Sequence, residues 1–340
     1  MVSVSPSFPD VRLRRLRAAD WRRRLFRETV LTTNDLVLPI FVVDGTHQAI
    51  DIPSLPGVQR LSIDNAVKRA EAAYAAGIPA IALFPATDPA LKDGRGSEAL
   101  NPNNLVCRTI KAVKAAVPDI GLIADVALDP YTDHGHDGLI VDGDVANDET
   151  VAVLTHQARV LAEAGADIVA PSDMMDGRVG AIRKALEEHK HTNTLILSYA
   201  VKYASAFYGP FRDAVGSGGR LGAKGAPSNK RTYQMDPANT REASREALMD
   251  VSEGADAVMV KPAGTSLDII ANLSQDVSLP VFAYQVSGEY AMLAVGAANG
   301  LFNRTDAFME SLVAIKRAGA TGILTYAALE IADALKPAGR

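Results

Sequence analysis

The sequence predicts a (β/α)8 TIM barrel preceded by an N-terminal arm, and three observations predict it. Eight short apolar, largely β-branched runs recur along the chain and alternate with stretches of helical periodicity. The runs are continuously apolar, which marks strands covered on both faces, as in a parallel sheet wrapped by helices. Several helical stretches stop at a glycine just before the next strand, at Gly77, Gly165, Gly254 and Gly319. Glycine there supplies a left-handed cap. A doubly wound open sheet is the alternative arrangement of the same units.

The strands are read at 36–43, 80–84, 121–128, 168–171, 194–201, 257–260, 280–286 and 322–326. Helical periodicity is plain at 63–76, 104–116, 149–164, 178–189, 240–253 and 305–318. A junction near Asn34-Asp35 divides the chain into an arm, 1–35, and a catalytic barrel, 36–340. No short-period repeat or low-complexity tract interrupts this pattern.

The arm departs from the acidic balance of the chain, whose formal charge is −5. Eight arginines fall between positions 12 and 27, interleaved with Leu13, Leu16, Trp21, Leu25 and Phe26. A nucleic-acid arm and a transit peptide both use arginine, but Asp20, Glu28 and the modest serine content argue against the transit peptide. Arginine mixed with tryptophan and leucine fits better an arm packed on a neighbouring subunit.

Other bulk features bound the class. A chain of this length buries roughly 75% of its unfolded surface. One cysteine, Cys107, excludes an internal disulfide and a multi-cysteine metal site; on its helix it reads as a core filler. No apolar run is long enough to span a bilayer and the N-terminus has no apolar signal core. A cytoplasmic protein is expected, with no membrane and no nucleic-acid partner.

A barrel places catalytic groups at the C-terminal ends of its strands. The polar residues there are Asp125, Ser172, Asp173, Lys202, Lys261, Tyr284, Gln285, Ser287, Thr325 and Tyr326, and all are expected to face one mouth. The lysines carry the most information. A single lysine after an apolar strand is ordinarily a packed stem with a solvated head. Two on successive strands suggest something else. Burial beside a second cation favours the neutral amine, which attacks a ketone to form an imine. Two such amines suggest two carbonyl substrates held side by side for carbon–carbon bond formation.

Two connections after strands are long. Residues 203–239 include Tyr203, Phe207, Tyr208, Phe211 and Arg212, then the glycine run Gly216-Ser217-Gly218-Gly219, and end on Lys230-Arg231-Thr232-Tyr233-Gln234. A glycine-rich loop with cations and an aromatic base reads as a lid over an anionic substrate. The segment 129–137 is dense in Asp and His; its oxygens would suit magnesium, but no spacing matches a known metal loop and solvated polar surface is the plainer reading.

These residues closely resemble the porphobilinogen synthase (5-aminolevulinate dehydratase) family, from about Arg12 to the C-terminus. The resemblance is carried by Leu-Pro-Ile-Phe at 38–41, the run 125–138, Ala-Pro-Ser-Asp-Met-Met-Asp-Gly-Arg at 170–178, the run 199–212, Met-Val-Lys-Pro at 259–262 and Tyr-Gln-Val-Ser-Gly-Glu-Tyr at 284–290. It implies a lyase that condenses two 5-aminolevulinates to porphobilinogen with loss of two waters. Lys261 would form the first Schiff base, with Ser287 and Tyr326 binding that molecule's carboxylate. Lys202 would form the second, with Arg212, Lys230 and Gln234 on the other carboxylate. Asp125, with Ser172 nearby, would position the amino group and help proton transfer as a third catalytic residue, and Tyr208, Phe211 and Tyr284 would also bind substrate.

The family's three zinc-binding cysteines correspond here to Ala127, Asp129 and Asp137, so the chain resembles the zinc-independent branch. That branch often uses magnesium at an allosteric site, here Glu246 with Asp173 and Arg178 in support. No organic cofactor is implied. The resemblance also implies a homo-oligomer, octamer or hexamer, assembled through the arms. Two other classes compete. A class I aldolase needs one lysine and a phosphate-binding glycine loop, which neither Thr321-Gly322 nor 296–300 resembles. A nucleic-acid-binding oligomer would rely on the arm and leave the strand-end lysines unexplained.

Overall fold

The computed structural model describes residues 8–218, 221–222 and 225–336. Gly219 of the glycine run and the first seven residues of the arm lie outside them. Among the described residues, parallel strands β1 (Leu36–Val42), β2 (Ala80–Pro85), β3 (Gly121–Val126), β4 (Ile168–Pro171), β5 (Leu195–Lys202), β6 (Ala257–Lys261), β7 (Val281–Tyr284) and β8 (Gly322–Leu324) pair in chain order. β8 returns to β1 in register, Leu36 opposite Ile323 and Val37 opposite Leu324, which closes the barrel and excludes the open sheet. A hairpin, Ala49–Asp51 with Gln59–Leu61, extends from the edge of β1.

The strands are short because only the barrel wall needs them, and every residue of β1 is buried. Helices α1 (Ile63–Ala75), α2 (Leu105–Ala116), α3 (Asn147–Ala164), α4 (Arg178–Glu188), α6 (Arg241–Ser252), α7 (Leu267–Asp276), α8 (Ser287–Ala298), α9 (Arg304–Arg317) and α10 (Ala328–Leu335) belong to the outer layer. α5 (Gly209–Val215) lies in the long connection after β5. Local chemistry sets the helix ends. The Asn104 side chain accepts from the Cys107 N–H at 2.9 Å to start α2, and Asn303 accepts from the Asp306 N–H at 3.1 Å to start α9. Gly165 and Gly319 take positive φ, +107° and +117°, where a side chain would be strained. No described helix is long and apolar enough to cross a membrane.

The arm, from residue 8, forms a 3-10 turn (Leu13–Arg17) and a short helix (Asp20–Leu25), neither with a buried residue. Leu13, Leu16, Trp21, Leu25 and Phe26 are all exposed. The barrel begins where Leu31 becomes buried and Asp35 pairs with Lys316 of α9 at 2.8 Å.

Several boundaries differ from the sequence reading. β5 and β6 each run one residue further, so both lysines are strand residues. β3, β7 and β8 stop earlier, because their last predicted residues turn into the loops at the mouth. α5 lies inside a segment read only as a loop; Pro210 at its start and Gly216 at its end bound it.

Candidate active site

The C-terminal ends of β3 to β6 converge on one small cavity under the long connection. Asp125, Ser172, Lys202 and Lys261 line it from the strand ends, and Tyr208, Phe211, Arg212, Lys230 and Gln234 line it from the connection. A larger cavity outside the barrel, between Tyr203 and Ile269, contains neither lysine.

Lys202 and Lys261 are register partners across β5 and β6, so both side chains leave the same face of the sheet. Each is 5% exposed. Lys261 Nζ sits among four rings, 4.8 Å from Tyr284, 4.9 Å from Phe211, 5.1 Å from Tyr208 and 5.2 Å from Tyr199. Burial, then the charge of Lys202, lower its pKa to about 7, against the pull of the carboxylates around Asp125. Ring faces attract a cation, but they do not hydrate one, so the neutral amine is accessible near neutrality.

Lys202 is held differently. Its ammonium donates to the Ser172 carbonyl and lies 3.5 Å from Asp137 Oδ1. Asp137 Oδ2 accepts from Lys230 at 2.9 Å, and Lys230 is 3.5 Å from Asp129. Burial opposes ionisation of Asp137, but Lys202 and Lys230 hold its carboxyl well below the usual range. Asp125 has the opposite balance. Burial and then Asp129 push its carboxyl up to about 7, although both lysines and the Ser172 hydroxyl draw it down. One cavity thus contains an amine and an acid that both exchange protons near neutral pH.

The connection folds over this cavity as a lid. α5 is pinned at its C-terminal end, where Arg60 donates to the carbonyls of Asp213 (2.6 Å) and Ala214 (2.7 Å), and Lys92 to those of Val215 (3.3 Å) and Gly216 (3.1 Å). Phe211 packs on Phe41 and Phe84 from the barrel interior. The returning end of the lid meets the end of β5 at a single bridge, the Met235 N–H donating to the Lys202 carbonyl at 3.1 Å. His136 ties the β3 loop to the lid through Pro227 O (2.8 Å) and Tyr233 OH (3.1 Å).

Of the three residues expected beside Lys261, Tyr284 lies 4.8 Å from its Nζ, whereas Ser287 and Tyr326 do not line the cavity that contains the lysines, and Tyr326 lines a separate one with Leu38 and Arg69. The Ser287 hydroxyl accepts from the Phe211 N–H at 2.9 Å and donates to the Phe207 carbonyl at 3.3 Å, so it touches the lid. The Tyr284 and Tyr326 hydroxyls share a hydrogen bond of 2.9 Å.

Three strand-end residues turn away from the mouth, because side chains alternate across a strand. Asp173 points behind β4 to Arg178, which pairs with Asp250 at 3.1 Å in a buried cluster with Ser198. Thr325 donates to Gln285 Oε1 at 2.7 Å, and Gln285 reaches Ser311 of α9. Glu246 lies outside the mouth, on α6, in a cleft with Asp176, Asp236 and Glu242. Sequence reasoning missed Tyr199 under Lys261 and the lid anchors Arg60 and Lys92. Tyr199 lies three residues before Lys202 in a run that already carried the resemblance; the anchors had no local signal.

Residues 10–334 match the family model described as Delta-aminolevulinic acid dehydratase. A delta-aminolevulinic acid dehydratase of Bradyrhizobium diazoefficiens is 58% identical over 329 residues, covering 97% of this chain and 92% of that one. One of Rhodobacter capsulatus is 50% identical over 326 residues, covering 96% and 97%. The crystal structure of delta-aminolevulinic acid dehydratase (porphobilinogen synthase) from Toxoplasma gondii, in complex with the reaction product porphobilinogen, is similar with a TM-score of 0.91 at 48% identity, covering 95% of this chain and 91% of that chain.

Proposed function

The chain belongs to the delta-aminolevulinic acid dehydratase family, and on that premise we propose that Lys261 and Lys202 carry the condensation of two 5-aminolevulinates to porphobilinogen. The reaction is that of a hydro-lyase of tetrapyrrole synthesis. The observation that carries the assignment of roles is the in-register pair of buried lysines in one cavity.

Each amine adds to the ketone of one substrate and expels one water, which accounts for both waters lost. A carbon nucleophile on one substrate attacks the imine carbon of the other, and one lysine departs as the amine. The substrate's own amine displaces the other lysine. Lys261, its pKa lowered to about 7, supplies free amine near neutrality and begins this chemistry without a separate base. Asp125 takes and returns protons over the same range and offsets iminium charge. Ser287 and Tyr326 hold the carboxylate of the Lys261-bound molecule, with Ser287 exchanging its bond to Phe207 O for the carboxylate. Arg212 and Gln234 take the other carboxylate from the lid. Gln234 would donate to that carboxylate through its amide NH2; its buried Oε1, without a hydrogen-bond partner among the described residues, is open to a ligand N–H donor instead. Lys230 is already bonded to Asp129 and Asp137, so its first role is to neutralise them.

The donor set does not fit a thiolate zinc centre: position 127 is alanine, and Asp129 and Asp137 are engaged by lysines. Magnesium fits better at Glu246. Its cleft offers the oxygens of Asp176, Asp236 and Glu242, and burial raises the Glu246 pKa, with Asp250, Asp176 and Glu242 adding to it. Among the described residues no three such side chains converge as a direct ligand set, so a magnesium ion there would be held by Glu246 and water. When bound it would supply countercharge to this cleft. The exposed apolar and arginine surface of the arm supports a homo-oligomer, octamer or hexamer, joined through arms. We place the enzyme in the cytoplasm.

Borohydride reduction with 5-aminolevulinate, then peptide mass mapping, tests the roles. Adducts on Lys261 and Lys202 are expected; adducts on neither would remove the imine mechanism.

A further inference from the structure

Glu289 is a buried carboxylate for which the mechanism above has no role. It is 7% exposed, on the first turn of α8, and it pairs with no Lys, Arg or His among the described residues. Its two oxygens accept from different segments. Oε2 takes the Val286 N–H at 2.7 Å, and Oε1 takes the Gly264 N–H at 2.6 Å. Burial pushes its carboxyl up to about 7, while backbone N–H groups of Val286, Gly264, Ala263 and Thr265 pull it down.

The first bond is an ordinary helix-start contact, a side chain reaching back three residues. The second is not. Gly264 lies three residues after Lys261, in the loop that leaves β6, and Val286 immediately precedes Ser287. One carboxylate therefore joins the loop behind the imine-forming amine to the residue before the carboxylate-binding hydroxyl. The Ala263 N–H donates to the Tyr284 carbonyl at 2.9 Å and ties the same two segments again. A Cβ at position 264 would lie 2.6 Å from Glu289 Oε1, so any larger residue there must displace that oxygen.

We propose that Glu289 is a positioning residue that sets the span between Lys261 and Ser287, and so selects the chain length of the keto acid bound at Lys261. The proposal rests on the assignment of Lys261 and Ser287 to the two ends of one substrate. A 4-oxo acid held by an imine at its ketone and by a hydroxyl at its carboxylate has a fixed reach. A span held by a doubly bonded carboxylate discriminates against one methylene more.

The test uses two variants that disturb the contact from opposite sides. Glu289→Gln keeps the shape but turns one acceptor into a donor facing an N–H; Gly264→Ala retains the carboxylate but displaces its Oε1. For each, borohydride trapping at Lys261 is titrated with 4-oxopentanoate and with 5-oxohexanoate, alongside kcat and KM for 5-aminolevulinate and the melting temperature. The wild type is expected to prefer the shorter acid. In both variants that preference is expected to fall roughly tenfold, within the usual value of one methylene. KM is expected to rise more than kcat falls. A lower melting temperature with an unchanged preference would overturn the proposal and leave Glu289 as a helix cap. Should Glu289→Gln not fold, Gly264→Ala alone decides. If the wild type gives no adduct at Lys261, the assignment of that lysine fails, and the proposal with it.

Discussion

Lys202 faces Lys261 in register across β5 and β6, and its positive charge is the second cause, after burial, of the lowered Lys261 pKa. A lysine is nucleophilic only above its pKa, so trapping at Lys261 is expected to rise as pH rises through about 7 and to be lost below it. Lys202→Met removes the like charge, so the midpoint of the trapping profile is expected to move upward. A midpoint that stays in place would mean that burial alone sets it.

The proposed mechanism uses both amines. Lys261→Ala and Lys202→Ala are each expected to lower kcat by roughly 10³-fold or more, as for removal of a nucleophile. Mass mapping separates them, because Lys202→Ala retains an adduct at Lys261. Full activity in either variant would end the two-imine mechanism.

Arg212 lines the cavity from the last turn of α5 and makes no side-chain hydrogen bond or ion pair among the described residues. Arg212→Ala is expected to raise KM for 5-aminolevulinate roughly tenfold or more, the usual cost of one charge-assisted bond. An unchanged KM would place the second carboxylate elsewhere.

Arg60 lies far from the cavity in sequence yet holds two carbonyls at the end of the lid helix. Arg60→Ala is expected to raise KM several-fold, on the order of one lost hydrogen bond or two. Limited proteolysis within 209–235 is expected to speed up. Unchanged cleavage would show that Lys92 and the Phe211 packing suffice.

The Glu246 cleft has its own readout. Glu246→Ala is expected to abolish stimulation by added magnesium while preserving activity measured in chelator. Persistent stimulation would move the ion to another site.

The barrel was legible because its signals are local: continuous apolar strands, helical periods and glycine stops such as Gly165 and Gly319. The strand-end rule alone groups Asp125, Ser172, Lys202 and Lys261, and all four line one cavity. The same rule overreached for Asp173, Gln285 and Thr325. A one-residue step along a strand turns a side chain to the other face, and where each strand stops depends on its neighbours.

By itself the sequence determined which groups are available: two amines on adjacent strands, a carboxylate beside them, and a cationic lid. It also determined that positions 127, 129 and 137 are Ala, Asp and Asp and that the one cysteine is Cys107, so no cluster of thiolates is available. Only the tertiary structure decided what state those groups are in. The proton on Lys261 is labile because four rings and a second lysine surround it. Lys230 is committed to Asp129 and Asp137, and Arg60 reaches α5 across 153 positions of sequence. Desolvation and Coulomb interactions depend on distance through space, and distance along the chain does not encode them.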